Sequence, residues 1–586
     1  MTKKALEVTK IMNRDSLAKY ISQTWENYHS QMYPKIDEWK ELRNYLFATD
    51  TTTTSNSTLP WKNSTTLPKL CQIRDNLHSN YISALFPNDQ WLKWEGYSKD
   101  DSTKKKARSI EAYMSNKTRE SHFRTEMSKL VYDYIDYGNA FASYNFETSY
   151  RLDKDGNKVI DYIGPRLYRI SPLDIVFNPL SNTFKDSFKI IRTIKTLGEL
   201  QEKSISNPDD VYLKDALLKR EKFKKNMNSI GVDDFDKSEG FLVDGFGNYF
   251  EYLQSDYVEL LEFYGDFHDK DTNTYESGQV VTIIDRAWVI RKETYPSWFG
   301  SSPIHHVGWR TRPDNLWAMG PLDNLVGMQY RIDHLENLKA DAMDLGVLPP
   351  LVIAGEVEEF HYGPGAEIHI DENGSVTELA KNVQWVISAN NEISGILSLM
   401  EQLAGAPSEA MGIRTPGEKT MYEVQQLQNA AGRIFHEKTT NFEIEILEPT
   451  LNGMLETSRR NLDQQDIVRV MDDDLGVMDF LQITKEDITA SGKLRPIGAR
   501  HFAAQAQLLQ NLSALFASPL GQALAPHTST KALAALVEDT MGLDRYALFK
   551  PNIAIFEQQE TQRLAGQAQE DLQMEQSVAP DGEILG

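Results

Sequence analysis

Residues 321–350 read PLDNLVGMQYRIDHLENLKADAMDLGVLPP. Leu322, Leu325, Met328, Ile332, Leu335, Leu338, Ala342 and Leu345 recur at steps of three and four, the spacing of one helical face. Asp323, Asp333, Glu336, Asp341 and Asp344 fall on the opposite side. Pro321 suits the start of this helix, and Gly346 with Pro349-Pro350 stops it, because proline cannot continue a helical ladder. Residues 348–388 then read as a compact β-rich piece with turns at Gly363-Pro-Gly and Glu372-Asn-Gly. A second helix is predicted over 390–403. Residues 404–418 hold Gly405, Pro407, Gly412, Pro416 and Gly417 and break the helix locally. A long helix follows over 419–462, with a kink expected at Pro449. Helix, small β module, helix, loop, long helix is the order that organises the chain.

Working towards the N-terminus, residues 139–309 change to period two. Tyr257 to Phe267 and Gln279 to Tyr295 alternate as half-buried strands do, Lys154-Asp-Gly-Asn-Lys reads as a hairpin turn, and 206–226 reads as a charged helical insert. A charged helix is predicted from about Ser102 to Tyr137, with Phe123, Met127, Leu130, Val131 and Tyr134 as its stripe and Gly138 closing it. Before it, Pro68 opens a helix bearing Leu70, Ile73, Leu77, Tyr81 and Leu85 on one face. The polar stretch 48–58 is expected to be a loop. The first 47 residues read as helix, with Leu17, Ile21, Trp25, Tyr28 and Met32 in one stripe, an interruption at Pro34, and Ile36, Trp39, Leu42 and Leu46 resuming it. Towards the C-terminus come two strand-like pieces, around 467–470 and 480–488, and an Ala/Gln/Leu-rich helix with Phe502, Ala506, Leu509, Leu512 and Phe516 in line. The end of the tail is expected to be disordered. The fold class is α+β, multidomain.

The 586 residues carry 62 Lys plus Arg against 85 Asp plus Glu, a net charge of -23. That excludes a protein that grips nucleic acid with its whole surface. With 40% hydrophobic residues and no apolar run of membrane-spanning length, no membrane insertion is expected. Cys71 is the single cysteine, so no disulfide forms within the chain and no multi-cysteine metal site exists.

The chemical motifs are near misses. Gly412-Ile-Arg-Thr-Pro-Gly417-Glu-Lys419-Thr420 approaches a phosphate loop, which needs Lys directly after the second Gly. Here Glu418 intrudes and would set a carboxylate against phosphate oxygens. His305-His306 would point to opposite faces of a strand and cannot chelate one metal. Asp472-Asp-Asp474 reads as a solvated turn, and Asp153-x-Asp155-Gly-Asn lacks the acid that closes a calcium loop, Gly164 standing there. Cys71 sits within a helix face with no basic activator beside it, and an inert buried thiol is expected. No catalytic residue, no metal and no cofactor is expected, and the chain reads as a non-enzyme.

Three stretches together carry a resemblance: 59–94, LPWKNSTTLPKLCQIRDNLHSNYISALFPNDQWLKW; 414–451, RTPGEKTMYEVQQLQNAAGRIFHEKTTNFEIEILEPTL; and 488–512, ITASGKLRPIGARHFAAQAQLLQNL. With the helix–module–helix centre, the chain resembles the portal (head-to-tail connector) proteins of tailed bacteriophages, of the short-tailed type. The resemblance implies a virion protein at one capsid vertex, in the host cytoplasm during assembly, forming a homo-oligomer ring of usually twelve subunits. Double-stranded DNA would pass through the ring during packaging and ejection. Large terminase, a tail adaptor, and the major capsid and scaffolding proteins are the implied partners.

Carried onto this sequence, the resemblance makes 1–320 the wing, 321–346 the first stem helix, 347–389 the clip and 390–403 the second stem helix. It makes 404–418 the tunnel loop, 419–492 a long kinked helix returning to the wing, and 493–586 the crown and acidic tail. Glu409, Arg414, Glu418 and Lys419 would stand at the DNA channel, and Trp385, Phe360 and Tyr362 would dock partners on the clip. A stem helix apolar on one side and acidic on the other would pack on neighbours and line a hydrated pore. The alternatives are a nucleic-acid-dependent NTPase with a degenerate phosphate loop at 412–420, or another virion structural or adaptor protein without a channel.

Overall fold

The computed structural model describes residues 2–47, 63, 65–87, 91–96, 101–152, 158–206, 210–224, 257–269, 273–284, 286, 288–347, 351–355, 375–378, 384–404, 434–462, 466–472, 477–483, 485–486, 488–489 and 491–496. The chain divides into two compact units, 1–498 and 499–586, and every described residue lies in the first. It is a mixed helix-and-sheet, α+β structure. The stripe predicted over 502–516 and the tail lie outside the described residues, as does the loop 48–58.

Helix α1 (Thr2–Phe47) runs straight through Pro34 instead of breaking there. Proline inside a helix costs about 3 kcal/mol. Here Met32, Ile36 and Trp39 are buried on both sides of it, and each large apolar side chain contributes about 1.5–3 kcal/mol on burial. Helix α2 (Lys69–Leu85) buries Leu70, Ile73, Leu77, Tyr81 and Leu85, the predicted face, with Pro68 at its N-cap. The charged helix predicted as one rod is two, α3 (Asp101–Glu120) and α4 (Phe123–Asp136). His122 breaks it with a left-handed φ of 55°. The break turns Phe123 into a pocket where Trp91 stacks on it at 5.6 Å.

Gly138 ends this helical segment, as predicted, with φ +67°. A β-carbon there would run into the backbone of Met319 and Gly320, so the corner admits glycine alone. Strands β1 (Leu92–Gly96), β2 (Asn139–Leu152) and β3 (Lys158–Ile170) follow. The hairpin residues 153–157 lie outside the described residues, but Leu152 pairs with Lys158 across them. Then come β4 (Ile175–Phe177), β5 (Lys189–Thr196), helices α5 (Leu197–Ser206) and α6 (Val211–Lys224), and strands β6 (Tyr257–Asp269), β7 (Thr274–Ile284) and β8 (Trp288–Thr294). The run Gln279 to Tyr295 is thus two strands, reversed at Arg286 with φ 58°. Strands β4 to β8 form a five-stranded antiparallel sheet in sequential order. One core packs α1 (Ile21, Trp25, Ile36, Trp39) with this sheet. A small core unites α5, α6 and the sheet.

Strand β9 (Ile304–Gly308) joins β2 and β3 in a three-stranded sheet, and β10 (Arg310–Arg312) pairs with β11 (Asn315–Met319). After a 3-10 turn at Asp323–Leu325, helix α7 (Val326–Val347) leads to the paired strands β12 (Leu351–Ala354) and β13 (Ser375–Glu378), and then to α8 (Gln384–Leu403). Helix α8 begins six residues before the predicted 390. The later helix is described from residue 434. Its turn Glu443–Leu447 is wound as π-helix, and Pro449 sits in the first turn of the closing segment α9 (Glu448–Asn461). The change of helix type falls where the kink was expected, and the wider turn relieves the clash between proline and the carbonyl four residues back. Strands β14 (Asp466–Asp472) and β15 (Val477–Ile483) pair as a hairpin. The second begins earlier than predicted and ends before Ile488. Strand β16 (Gly492–Pro496) pairs with β1, tying positions four hundred residues apart. The largest core combines α2, α3, α4, the base of α7, and α9.

Candidate functional site

Helices α7 and α8 lie side by side, with Lys339 Nζ donating to Asn390 Oδ1 at 3.2 Å and Arg331 paired to Glu392 at 3.0 Å. Moving back along α7 moves forward along α8, as in an antiparallel pair joined by β12 and β13. Leu322 and Leu325, just before α7, and Ile332 and Leu335 on it are buried as the stripe requires. Leu338 is not, nor are Ala342 and Met343.

The polar side of α7 behaves contrary to expectation. Gln329, Asp333, Asn337 and Asp341, spaced by four, are buried. Residues 63 and 65–67 lie along them. Asn63 N–H donates to Asp341 Oδ1 at 2.8 Å, Thr65 N–H to Asn337 Oδ1 at 2.7 Å, and Leu67 N–H to Asp333 Oδ1 at 2.9 Å. Gln329 closes the ladder, its Nε2 donating to Leu67 O at 2.6 Å and its Oε1 accepting Leu70 N–H at 3.3 Å. The match is geometric. Two extended residues advance about 6.6 Å and four helical residues about 6.0 Å. Alternate backbone donors of the segment therefore meet successive side chains of one helical row. Burial pushes the Asp333 carboxyl up from the usual carboxylate range.

Asp323, just before α7, and Glu336 and Asp344 on it are also engaged within the chain. Asp323 accepts Gly320 N–H at 2.9 Å, Glu336 pairs with Lys339, and Asp344 accepts from Asn63 Nδ2 at 2.8 Å. Asp333 and Asp341 are thus covered by residues of the chain itself, while Asp344 stays exposed.

Among the residues this helix pair leaves in solvent, beside polar ones such as Asn391, Ser394 and Gln402, are several large apolar side chains. On α8 only Ile393 and Met400 are fully buried. Trp385, Leu399 and Leu403 are exposed and fall within about 40° of one another on the helical wheel. Val352 and Ile353 of β12 and Ile387 are exposed as well. Trp385, expected in the β module, stands in the first turn of α8 and is 75% exposed. Phe360, Tyr362, Glu409, Arg414, Glu418 and Lys419 lie outside the described residues.

The near-miss motifs resolve simply. His305 and His306 face opposite sides of β9, His305 beside Tyr144 and His306 stacked on Phe141 at 4.6 Å. Burial lowers both, His305 to about 4 and His306 to about 3. Neutral His306 donates Nε2–H to Asn139 Oδ1 at 3.0 Å. Asn139 also accepts Ala318 N–H and donates to the Tyr137 and Ala318 carbonyls. Cys71 is half-buried rather than buried, and burial with the neighbouring Asp75 pushes its thiol up, away from a nucleophile. Among the described residues no group of three or more His, Cys, Asp or Glu is placed to hold a metal, and no helix is long and apolar enough to cross a membrane.

No family model matches the chain, and no curated protein matches its sequence significantly.

Proposed function

We propose that the chain is the portal subunit of a tailed bacteriophage, of the short-tailed type. It would form a ring at one capsid vertex through which double-stranded DNA is packaged and ejected, and dock large terminase and then a tail adaptor. The observation that carries this reading is the antiparallel pair α7/α8, capped by β12 and β13, with Leu399, Leu403, Val352, Ile353 and Trp385 left in solvent. Exposed apolar residues of this kind mark surfaces that a partner covers. The flank Leu399–Leu403 would face the neighbouring copy, in a head-to-tail contact that closes into a ring. The outer end, with Trp385, would face terminase or adaptor, since aromatic anchors dominate interfaces. With -23 charges per chain, a ring repels DNA and does not trap it. Arg414 and Lys419, offset by Glu409 and Glu418, would allow only brief phosphate contact. Capsid and scaffolding proteins would surround the wing.

The test is electron microscopy and mass measurement of the purified chain. Twelve copies of 66.8 kDa give rings of about 0.8 MDa with a central hole. Leu399→Asp with Leu403→Asp should yield folded monomers, and Trp385→Ala should leave rings that bind terminase or adaptor poorly. A monodisperse wild-type monomer, or ATP turnover that disappears in Lys419→Ala, would overturn the reading.

A further inference from the structure

A cavity of about 210 Å³ lies between the end of α1, α2, α4 and β3. Four cationic side chains line it, Arg43, Arg74, Lys129 and Arg169, against two carboxylates, Asp133 and Asp136.

Each carboxylate accepts a bidentate pair. Arg74 donates Nε–H and Nη2–H to the two oxygens of Asp136, each at 2.7 Å. Arg169 does the same to Asp133, at 2.5 and 2.6 Å. A guanidinium has five N–H groups, so each bidentate pair leaves donors over. The Arg74 Nη1 lies 3.8 Å from Asp75, beyond hydrogen-bond distance. Trp39, which also lines the cavity, is buried, and its Nε1–H has no acceptor among the described residues. A buried donor left unmatched costs about 1–3 kcal/mol. The cavity is thus rich in donors.

The cations are held in place. The Arg74 guanidinium lies 4.1 Å over the Tyr132 ring, and Tyr132 is itself stacked with His78 at 3.7 Å. At the rim, Lys129 reaches Glu126 at 2.7 Å. Burial also pushes the Asp133 carboxyl up, against the pull of Arg169. A water occupies about 30 Å³ of liquid. The space therefore holds several waters or one compact polyatomic anion.

We propose that this cavity binds a phosphate-class oxyanion, seated on the spare N–H groups of Arg74 and Arg169 and the Trp39 indole N–H, with Arg43 and Lys129 supplying charge. The inference is independent of ring formation. The anion is either free phosphate or a phosphate of a nucleic-acid backbone. The shared chemistry is a tetrahedral group with several acceptor oxygens, which suits diverging donors better than a lone halide does.

Titration of the full chain with inorganic phosphate, against chloride at matched ionic strength, tests this by calorimetry and thermal shift. A saturable rise in Tm with phosphate is expected, absent with chloride. Trp39→Phe removes one donor and keeps the ring, and Arg43→Gln with Lys129→Gln removes charge without stranding Asp133 or Asp136. Each should weaken phosphate binding roughly ten-fold, the scale of a hydrogen bond to a charged group. The Tm measured without phosphate checks that each variant folds. Binding that a short DNA duplex does not displace assigns the site to a small anion, and displacement assigns it to a backbone phosphate. No phosphate-specific shift in the wild type, or an equal shift in both variants, would overturn the proposal.

Discussion

Asn63 meets Asp341 twice, its backbone N–H and its side-chain Nδ2–H both donating to one oxygen, at 2.8 and 2.9 Å, across 278 positions of sequence. The pair anchors the outer end of the ladder that holds residues 63 and 65–67 on α7. Asp341→Leu leaves two donors without an acceptor in a partly buried place. A loss of about 2–4 kcal/mol is expected, since each orphaned donor costs about 1–3 kcal/mol. Asp341→Asn keeps an oxygen in position and should cost under about 1.5 kcal/mol, the difference between a charged and a neutral acceptor. Urea titration of both variants checks this. Equal losses would mean that the carboxylate acts through charge alone.

This ladder also shows where sequence reading stops. The α2 face was legible to the residue, because Leu70, Ile73, Leu77, Tyr81 and Leu85 all meet one core. On α7 the same rule held for Ile332 and Leu335 and failed at Leu338. Periodicity records which residues are apolar, and it does not record which polar face receives an extended strand from elsewhere in the chain. A signal was present: Gln329, Asp333, Asn337 and Asp341 put side-chain oxygens at strict steps of four. In α4, Asp133 and Asp136 interrupt or flank the apolar stripe, and their partners Arg169 and Arg74 lie on other elements. Nothing local marks these as pairs, so the cavity beside them was not legible. Pro34 was misread because local propensity was overridden by burial on both sides.

His305 and His306 make stability depend on pH. Both stay neutral in the fold, with values lowered to about 4 and about 3 by burial. In the unfolded chain a histidine titrates near 6.5. Between pH 6.5 and these lowered values the unfolded state binds more protons, so stability falls as pH falls. It is fully present above about 6.5, and the loss is complete once pH passes below the folded-state values. With both residues contributing, the slope reaches about 2.7 kcal/mol per pH unit. Denaturation midpoints from pH 7.5 to 5 should show this decline. His305→Gln with His306→Gln should flatten it, whatever its effect at pH 7.5. An unchanged slope in the double variant would remove the histidines as its source.

Gly453 and Tyr144 are fitted to each other. A β-carbon at Gly453, in α9, would run into the Tyr144 phenol ring. In an open helix position, Gly→Ala stabilises by about 1 kcal/mol. Here overpacking should win, with Gly453→Ala costing about 1–3 kcal/mol. Tyr144→Ala opens the space at its own cost of roughly 3–5 kcal/mol. The double variant should be more stable than the sum of the two losses predicts, by about 1 kcal/mol or more. Strict additivity in a double-mutant cycle would show that the ring simply swings aside.

Arg74 and Asp136 provide the sharpest test of how charges are held in this fold. Their side chains are only 15% and 16% exposed, and both bonds of the bidentate pair are 2.7 Å long. An exposed ion pair is worth about 0–1 kcal/mol, and its loss would be hard to detect. A buried pair differs, because removing one partner strands the other charge where water cannot reach it. Burial pushes the Asp136 carboxyl up even with Arg74 present, so solvent does little to shield it. Arg74→Met should therefore cost about 3–5 kcal/mol. Replacing both, with Arg74→Met and Asp136→Leu, removes the stranded charge and fills the volume with apolar atoms. The double variant should recover most of the loss and sit close to the wild type. It should also lose one guanidinium from the cavity. Chemical denaturation of the three proteins at pH 7 gives the ordering wild type, double variant, Arg74→Met. If Arg74→Met alone loses under about 1 kcal/mol, the range of exposed pairs, then water reaches Asp136 and the pair is a surface pair after all.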